Sequence, residues 1–124
     1  MADGEPDVSV SGLGGVFFRS EDPEALGDWY QQHFGIDKAS AGPPWTQEAG
    51  PTVFSPFPKD TDYFGRMDQP FMLNFRVADL DAALAALEAG GVRIDESRED
   101  YDYGRFAWVY DPEDNKIELW EPPA

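Results

Sequence analysis

The sequence predicts an α+β fold in which two tandem β-α-β-β-β units form a curved, cup-shaped mixed sheet with its helices outside. The clearest observation is the stretch from Phe71 to Val92, where alternating apolar residues are followed by leucines and alanines at helical spacing. The stretch from Gly15 to Ile36 repeats this arrangement. Both stretches carry the pattern Phe-Arg-x-x-Asp between strand and helix, beginning at Phe18 and at Phe75. The repeat predicts that the two stretches fold alike.

The first unit is predicted over about residues 12–58. Its first strand runs from Leu13 to Ser20. A helix begins at Asp22-Pro23, because aspartate is a favourable N-cap and proline fits the first helical position, and it ends at Gly35. The buried face of this helix is predicted to carry Leu26, Trp29, Tyr30 and Phe34. Three further strands are predicted at Ile36 to Ala39, Trp45 to Ala49 and Thr52 to Phe57.

The second unit is predicted over about residues 70–122, after a linker at residues 59–69. The linker carries Tyr63, Phe64 and Met67, so we expect it to pack on a surface. The helix of this unit begins at the N-cap candidate Asp79 and ends at Gly90-Gly91. An acidic loop is expected after the second strand. The strands are predicted at Phe71 to Val77, Val92 to Asp95, Arg105 to Tyr110 and Lys116 to Trp120.

Composition excludes several classes of function. A length of 124 residues with 41% hydrophobic residues fits one packed domain. The formal net charge of −16 repels nucleic-acid phosphates and anionic membranes, so neither is expected as a partner. The absence of cysteine excludes thiolate chemistry and cysteine-ligated metals. The first ten residues do not resemble a signal peptide, and no apolar run has the length of a membrane span, so a cytoplasmic location is expected.

Two units with Phe-Arg-x-x-Asp after each first strand resemble the vicinal oxygen chelate superfamily, which includes glyoxalase I, bleomycin-resistance proteins and extradiol dioxygenases. The first helix, DPEALGDWYQQHFGI, and the closing segment, YDPEDNKIELWEP, carry the same resemblance, which extends from about Gly12 to Pro122. It implies a cup in which the enzymes of the superfamily hold a divalent metal against two adjacent substrate oxygens. It also implies a homodimer, in which units are exchanged about the linker.

Most of the metal-ligand positions that this resemblance implies lack a histidine or a carboxylate. The first-strand positions fall on Gly15 and Met72, and the last strand of the first unit offers Phe54 or Ser55. Only Glu118 matches a ligand of the superfamily. One carboxylate does not hold Zn²⁺, Ni²⁺ or Fe²⁺ in the usual manner, so we expect no cofactor, with a divalent metal as the alternative.

Several charged residues have more than one interpretation. Glu118 is a candidate catalytic general base, or a structural carboxylate that is hydrogen-bonded to an arginine or a tyrosine. Glu48, on a neighbouring predicted strand, is a candidate second metal ligand. The sole histidine, His33, lies in the last turn of the first helix, where the helix dipole favours a structural role. Arg19 and Arg76 are expected to pair with the helix-capping aspartates.

Aromatic residues make up 15% of the chain, which exceeds what a single small core needs. An apolar, aromatic-lined cup with a few polar groups is the usual form of a small-molecule site. Its rims are predicted at Asp60 to Gly65 and at Asp100 to Phe106. The predicted ligand-binding residues are Phe17, Trp45, Phe54, Tyr63, Met72, Asn74, Tyr103, Trp108 and Trp120.

Three functions remain in competition. The first is a glyoxalase/bleomycin-resistance-like protein that binds a small aromatic or amphipathic molecule in an apolar cup, with a degenerate metal site. The second is a metal-dependent lyase, isomerase or dioxygenase of the same superfamily that uses Glu118. The third is a non-catalytic interaction protein whose rims bind a partner. The missing metal ligands and the abundant aromatic residues favour the first.

Overall fold

The computed structural model describes residues 7–124 and contains two α-helices and one four-stranded sheet. Helix α1 spans Pro23–Phe34 and helix α2 spans Leu80–Ala89, with a short 3₁₀ turn at Ala39–Ala41 between them. In this described part, no helix is long and apolar enough to cross a membrane. The predicted α+β class is confirmed. The strands are β1 at Leu73–Arg76, β2 at Arg93–Tyr101, β3 at Gly104–Tyr110 and β4 at Lys116–Glu121.

Both helices begin with the same local device, as the repeated sequence pattern predicted. The side chain of Asp22 accepts a hydrogen bond from the backbone N–H of Ala25, and that of Asp79 accepts one from Ala82. Each bond satisfies one of the N–H groups that the first helical turn leaves without an internal partner. Helix α1 ends at Gly35, whose φ of 69° lies in the left-handed region that glycine adopts without steric cost.

The strands follow the order β1-β4-β3-β2 across an open, curled sheet. Strand β1 runs parallel to β4, whereas the other neighbouring strands are antiparallel. The register places Asn74 beside Glu118 and Glu118 beside Trp108. Because neighbouring residues in register point to the same side of a sheet, these three side chains form one row across three strands.

One face of the sheet carries the hydrophobic core, and both helices pack on it. Alternate residues of the two central strands, including Val109, Ile117 and Leu119, are fully or almost fully buried there. The residues between them point to the opposite face, which we call the open face. The helices contribute Leu26, Tyr30, Leu80, Leu84 and Leu87 to the core. The open face carries Asn74, Arg76, Phe106, Trp108, Tyr110, Lys116, Glu118 and Trp120.

The four strands predicted in the first unit are wrong for the single chain. Within residues 7–124, none of the segments 13–20, 36–39, 45–49 and 52–57 forms a hydrogen-bonded strand. Phe17 and Phe54, which lie in two of these segments, are 94% and 86% exposed. A strand needs a neighbouring backbone to satisfy its N–H and C=O groups, and the chain brings no such neighbour to these segments. Phe18 is therefore not the strand equivalent of Phe75, although its ring packs edge-on against Tyr30.

The acidic loop that was predicted after Asp95 is also wrong, because strand β2 continues to Tyr101. Its pairing with β3 is interrupted between Ile94 and Arg98, where the register shifts as in a β-bulge. Strand β2 lies at the edge of the sheet, and seven of its nine residues are exposed. An edge position allows this charged sequence to remain solvated while its backbone is paired on one side.

A buried hydrogen bond fastens helix α1 to the turn between β3 and β4. The hydroxyl of Tyr30 donates to Oδ2 of Asp111 at 2.7 Å, and the two residues are 7% and 5% exposed. Asp111 also accepts hydrogen bonds from the backbone N–H groups of Glu113 and Asn115. Burial, together with the hydrogen bond to Asp111, raises the pKa of Tyr30, so its hydroxyl remains a donor.

Replacing Tyr30 by phenylalanine is expected to lower the free energy of unfolding by about 1–3 kcal/mol, because a buried carboxylate loses a donor. Urea titration followed by circular dichroism measures this change. The matched control is Tyr101→Phe, whose hydroxyl bonds Glu99 at the protein surface. That variant is expected to lose less than about 0.5 kcal/mol. Equal losses in the two variants would contradict the anchoring role of Tyr30.

Candidate functional site

Glu118 lies at the centre of the open face. It sits in β4 between Ile117 and Leu119, and both of these neighbours are buried in the core. The alternation of a strand therefore directs the Glu118 side chain to the face away from the helices. The residue is only 8% exposed. A carboxylate with so little contact to water is costly unless its oxygens accept hydrogen bonds.

Three neutral donors meet this carboxylate. Asn74 Nδ2 donates to Oε1 at 2.6 Å, and Trp108 Nε1 donates to Oε2 at 3.1 Å. The hydroxyl of Tyr63 also donates to Oε2. Burial, together with the hydrogen bond to Glu118, raises the pKa of Tyr63, so that hydroxyl stays protonated. We call Tyr63, Asn74, Trp108 and Glu118 the Glu118 cluster.

The linker at residues 59–69 packs on the sheet and holds Tyr63 in place. Its end is fastened by Gln69, which accepts from the backbone N–H of Lys116 at 2.8 Å and donates to the carbonyl oxygen of Lys116 at 3.0 Å. Gln69 is 6% exposed. In the middle of the linker, Arg66 donates to the carbonyl oxygen of Asp114 at 3.0 Å. The packing that the linker aromatics predicted is therefore present.

Two further side chains confine the Tyr63 ring, and the sequence analysis did not single them out. Phe57 stacks on it with a centroid distance of 5.5 Å and an interplanar angle of 15°. Lys116 Nζ lies 5.1 Å from the Tyr63 centroid and 5.5 Å from the Trp108 centroid, within range of cation–π attraction. The signal for Lys116 was present, because it precedes Glu118 by two positions on the same strand. Phe57 carried no such signal, since its approach to Tyr63 depends on the loop.

A second aromatic group occupies the end of the open face near the β2–β3 turn. The ring of Trp120 lies parallel to that of Phe106 at 6.3 Å, and its Nε1 donates to the carbonyl oxygen of Tyr103 at 2.9 Å. Tyr103 stacks on Tyr101 at 5.0 Å. A Cβ on Gly104 would lie 2.2 Å from Trp120 Nε1, so only glycine lets the turn approach the indole.

Four of the predicted ligand-binding residues are not part of either aromatic group. Phe17, Trp45 and Phe54 lie on the exposed extended segments, and within residues 7–124 no hydrogen bond or ring contact joins them to the Glu118 cluster. Met72 is half-buried just before β1. The folded single chain thus assembles Tyr63, Asn74, Tyr103, Trp108, Glu118 and Trp120 on one face.

The residues present do not fit the metal centre of the superfamily enzymes. In the described part of the chain, no group of three or more His, Cys, Asp or Glu side chains lies close enough to hold a metal ion. The Glu118 oxygens face three neutral donors. Glu48 contributes its backbone carbonyl oxygen to Arg76 Nη2 at 3.0 Å. His33 packs against Trp29 at the end of α1, as expected for a structural residue.

The ion pairs that were predicted for Arg19 and Arg76 do not occur among residues 7–124. The capping carboxylates of Asp22 and Asp79 are directed at backbone N–H groups of their own helices. Arg76 points to the open face, whereas α2 packs on the other side of the sheet. The guanidinium of Arg76 bonds the carbonyl oxygen of Glu48 instead.

Two surface cavities lie beside helix α1, away from the Glu118 cluster. One has a volume of about 410 Å³ and the other of about 370 Å³, and Trp29 and Pro112 line both. Neither includes a residue of the Glu118 cluster. The larger cavity has an acidic margin that includes Glu21 and Glu113. These cavities offer an alternative location for a ligand, which an experiment can separate from the open face.

Comparison with known proteins places this geometry in context. The sequence profile described as "Glyoxalase-like domain" matches residues 15–120. Curated protein sequences give no match. Among solved structures, the chain is similar to TnmS3, described as an antibiotic binding protein from Streptomyces sp. CB03234, with 26% identity and a TM-score of 0.61 over 94% of this chain and 99% of that chain.

A second solved structure shares the fold. It is a member of the glyoxalase/bleomycin resistance protein/dioxygenase superfamily from Sphaerobacter thermophilus DSM 20745, with 22% identity and a TM-score of 0.50 over 81% of this chain and 88% of that chain. The resemblance that the repeated motifs predicted is thereby confirmed. The profile match over residues 15–120, together with the curled four-stranded sheet, shows that this chain belongs to the glyoxalase-like domain family of the vicinal oxygen chelate superfamily.

Proposed function

We propose that this protein binds a small aromatic or amphipathic molecule on its open face, without converting it chemically. The observation that carries the proposal is the Glu118 cluster, in which a buried carboxylate is held by three neutral donors among aromatic rings. The likeness to TnmS3, which is described as an antibiotic binding protein, supports a binding function of the bleomycin-resistance kind.

The chemistry of the open face suits the recognition of flat molecules. Tyr63 and Phe106 are the half-buried rings of this face, and Trp108 and Trp120 lie almost fully buried beside them. Ring faces attract other rings through offset or edge-to-face contacts. Polar side chains lie among the rings, and each makes a hydrogen bond within the protein: Asn74, Arg76, Tyr110, Lys116 and Glu118. A surface of this kind provides apolar contact area and a small number of directional contacts, as small-molecule sites usually do.

The same hydrogen bonds argue against Glu118 as a general base. A general base must direct a free lone pair at the proton that it abstracts. A carboxylate has about four acceptor positions, and three donors already occupy this one. The one acceptor position that remains belongs to a side chain that is only 8% exposed, so a substrate has little access to it. The carboxylate is better suited to organising the face than to catalysis.

We further propose that the working form is a homodimer in which the extended segments of each copy pair with the other copy. Besides Phe17 and Phe54, the segments expose Val53 at 69% and Trp45 at 41%. Isolated apolar side chains are common on protein surfaces, but whole extended segments of them indicate an interface. Strand β1 lies at an edge of the sheet, so one side of its backbone is free to accept another strand.

Such a dimer would also complete the cup. In the single chain, the open face is bordered by the linker and by the β2–β3 turn. Pairing of a second copy at β1 would place Phe17, Trp45 and Phe54 of one copy near the open face of the other. This arrangement would unite the ligand-binding residues that the sequence predicted but that the single chain leaves apart.

Binding on the open face predicts a specific response to substitution. For a planar probe such as 2-naphthol, titrated calorimetrically against the whole protein, Tyr63→Leu is expected to weaken affinity about three- to tenfold, because an aromatic contact is lost. Trp29→Leu, which removes a ring from the cavities beside α1, is the matched control and should leave the affinity unchanged. The reverse pattern would place the ligand in those cavities and reject the open face.

Removal of divalent metals is expected to leave binding unchanged. Protein dialysed against EDTA and untreated protein should show the same dissociation constant for 2-naphthol, because the proposed contacts need no cation. Elemental analysis of both samples checks that the treatment removed any bound metal. Loss of binding that returns with Zn²⁺ or Ni²⁺ would instead favour a metal-dependent site that includes Glu118.

The homodimer is tested by its mass in solution. Light scattering after size exclusion is expected to give twice the chain mass of 13.8 kDa. The double variant Phe17→Asp/Phe54→Asp should shift the protein toward the monomer, because charge on an apolar interface is costly to bury. Gln31→Asp, at an exposed position of α1, is the matched control. A monomeric unmodified protein at micromolar concentration would refute the dimer.

A further inference from the structure

The hydrogen bonds of Glu118 fix the direction of the Asn74 side-chain amide. The indole N–H of Trp108 can only donate a hydrogen bond, and the protonated Tyr63 hydroxyl also donates one. Both groups therefore bond to an oxygen of the Glu118 carboxylate. A carboxylate offers only acceptors to its neighbours. The NH₂ group of Asn74 must therefore face Glu118 Oε1, at 2.6 Å, and its carbonyl oxygen Oδ1 must face away.

That carbonyl oxygen is the polar group of the cluster that remains available. Asn74 is exposed, and among residues 7–124 its Oδ1 accepts no hydrogen bond. Neither of the neighbouring cations on this face donates to it, since Lys116 Nζ bonds the carbonyl oxygen of Tyr63 at 2.9 Å and Arg76 Nη2 bonds that of Glu48 at 3.0 Å. The cluster thus presents an outward acceptor beside aromatic rings.

We propose that Glu118 is a positioning residue that makes Asn74 present its carbonyl oxygen to the ligand. The site then selects aromatic molecules that carry a hydroxyl or N–H group over those that carry acceptors only. This inference rests on the proposed binding function and adds to it the polarity of the ligand.

The selection has a simple physical basis. A ligand hydroxyl placed at Asn74 Oδ1 forms a hydrogen bond that replaces the one lost to water. A ligand ether at the same place brings two acceptors together and leaves both without a partner in a partly dehydrated surface. Discrimination of this kind is stronger than discrimination by size, because an unpaired polar group costs more than a lost apolar contact. The amide cannot turn to relieve the conflict, because its oxygen would then face the Glu118 carboxylate.

The test compares 2-naphthol with 2-methoxynaphthalene, which share a ring system and differ in the donor. Calorimetric titration of the whole protein is expected to give about three- to tenfold tighter binding of 2-naphthol. Asn74→Leu removes the carbonyl oxygen but keeps the side-chain volume, so Glu118 is not opened to the ligand. This variant should bring the ratio close to one, mainly by weakening the binding of 2-naphthol. Gln31→Ala, which removes a carboxamide from an exposed position of α1, should leave the ratio unchanged.

The positioning role of Glu118 has its own readout. In Glu118→Gln, Trp108 and Tyr63 still donate to one side of residue 118, so the new carboxamide oxygen lies there and its NH₂ group faces Asn74. The Asn74 amide then turns its carbonyl oxygen inward and its NH₂ group toward the ligand. The affinity ratio of 2-naphthol to 2-methoxynaphthalene should fall toward one because 2-methoxynaphthalene binds more tightly. Loss of structure alone would not make a ligand bind more tightly. If this variant fails to fold by near-ultraviolet circular dichroism, Asn74→Leu still decides the polarity of the site.

The outcomes separate this inference from the proposed function. Equal binding of both probes to the unmodified protein, or an unchanged ratio in Asn74→Leu, would overturn the inference and leave the binding function in place. If a folded Glu118→Gln variant keeps the same preference for 2-naphthol over 2-methoxynaphthalene, the positioning role of Glu118 is overturned. Binding of neither probe would count against the binding function itself and would overturn the inference with it.

Discussion

The open face is organised by the need to hydrogen-bond one carboxylate that is almost withdrawn from water. Glu118 is held by its place in β4, between two residues of the core, so it cannot turn outward to be solvated. Its three donors come from β1, from β3 and from the linker. A buried charge without these partners would cost several kcal/mol, roughly as much as a small domain's margin of stability allows. The requirement therefore fixes three separate segments against β4.

Sequence reasoning succeeded where structure is determined locally. Capping aspartates, a C-terminal glycine and an apolar stripe lie within a few residues of each other, so both helices were predicted from short patterns. Strands are different, because their hydrogen bonds are made with segments that are distant in sequence. Leu13 to Ser20 and Thr52 to Phe57 have the composition of strands, yet the chain supplies no neighbour for them. The sequence pattern shows that a segment can form a strand, but a strand forms only where another segment pairs with its backbone.

The same distinction explains which site residues could be predicted. Asn74, Trp108 and Glu118 share a face because each occupies the appropriate parity in its strand, which sequence spacing reveals. Tyr63 was identified because a charged linker has no need of aromatic residues. The contact of Phe57 with Tyr63 depends on how the linker folds back, and no local pattern specifies that path. Phe17 belongs to a segment whose position in the working form depends on a second copy, if the proposed dimer is correct.

The donor set around Glu118 also bears on what kind of chemistry the fold can support. A cation beside a carboxylate polarises bound oxygens and supports Lewis-acid chemistry. Neutral N–H and O–H groups satisfy the same oxygens but bring no positive charge to a substrate. The Tyr63 ring is half-buried, so a group that stabilises the charge is also one that would contact a flat ligand. If the proposed function is correct, the residues that replace the metal ligands of the superfamily enzymes both remove the capacity for metal catalysis and form the binding surface.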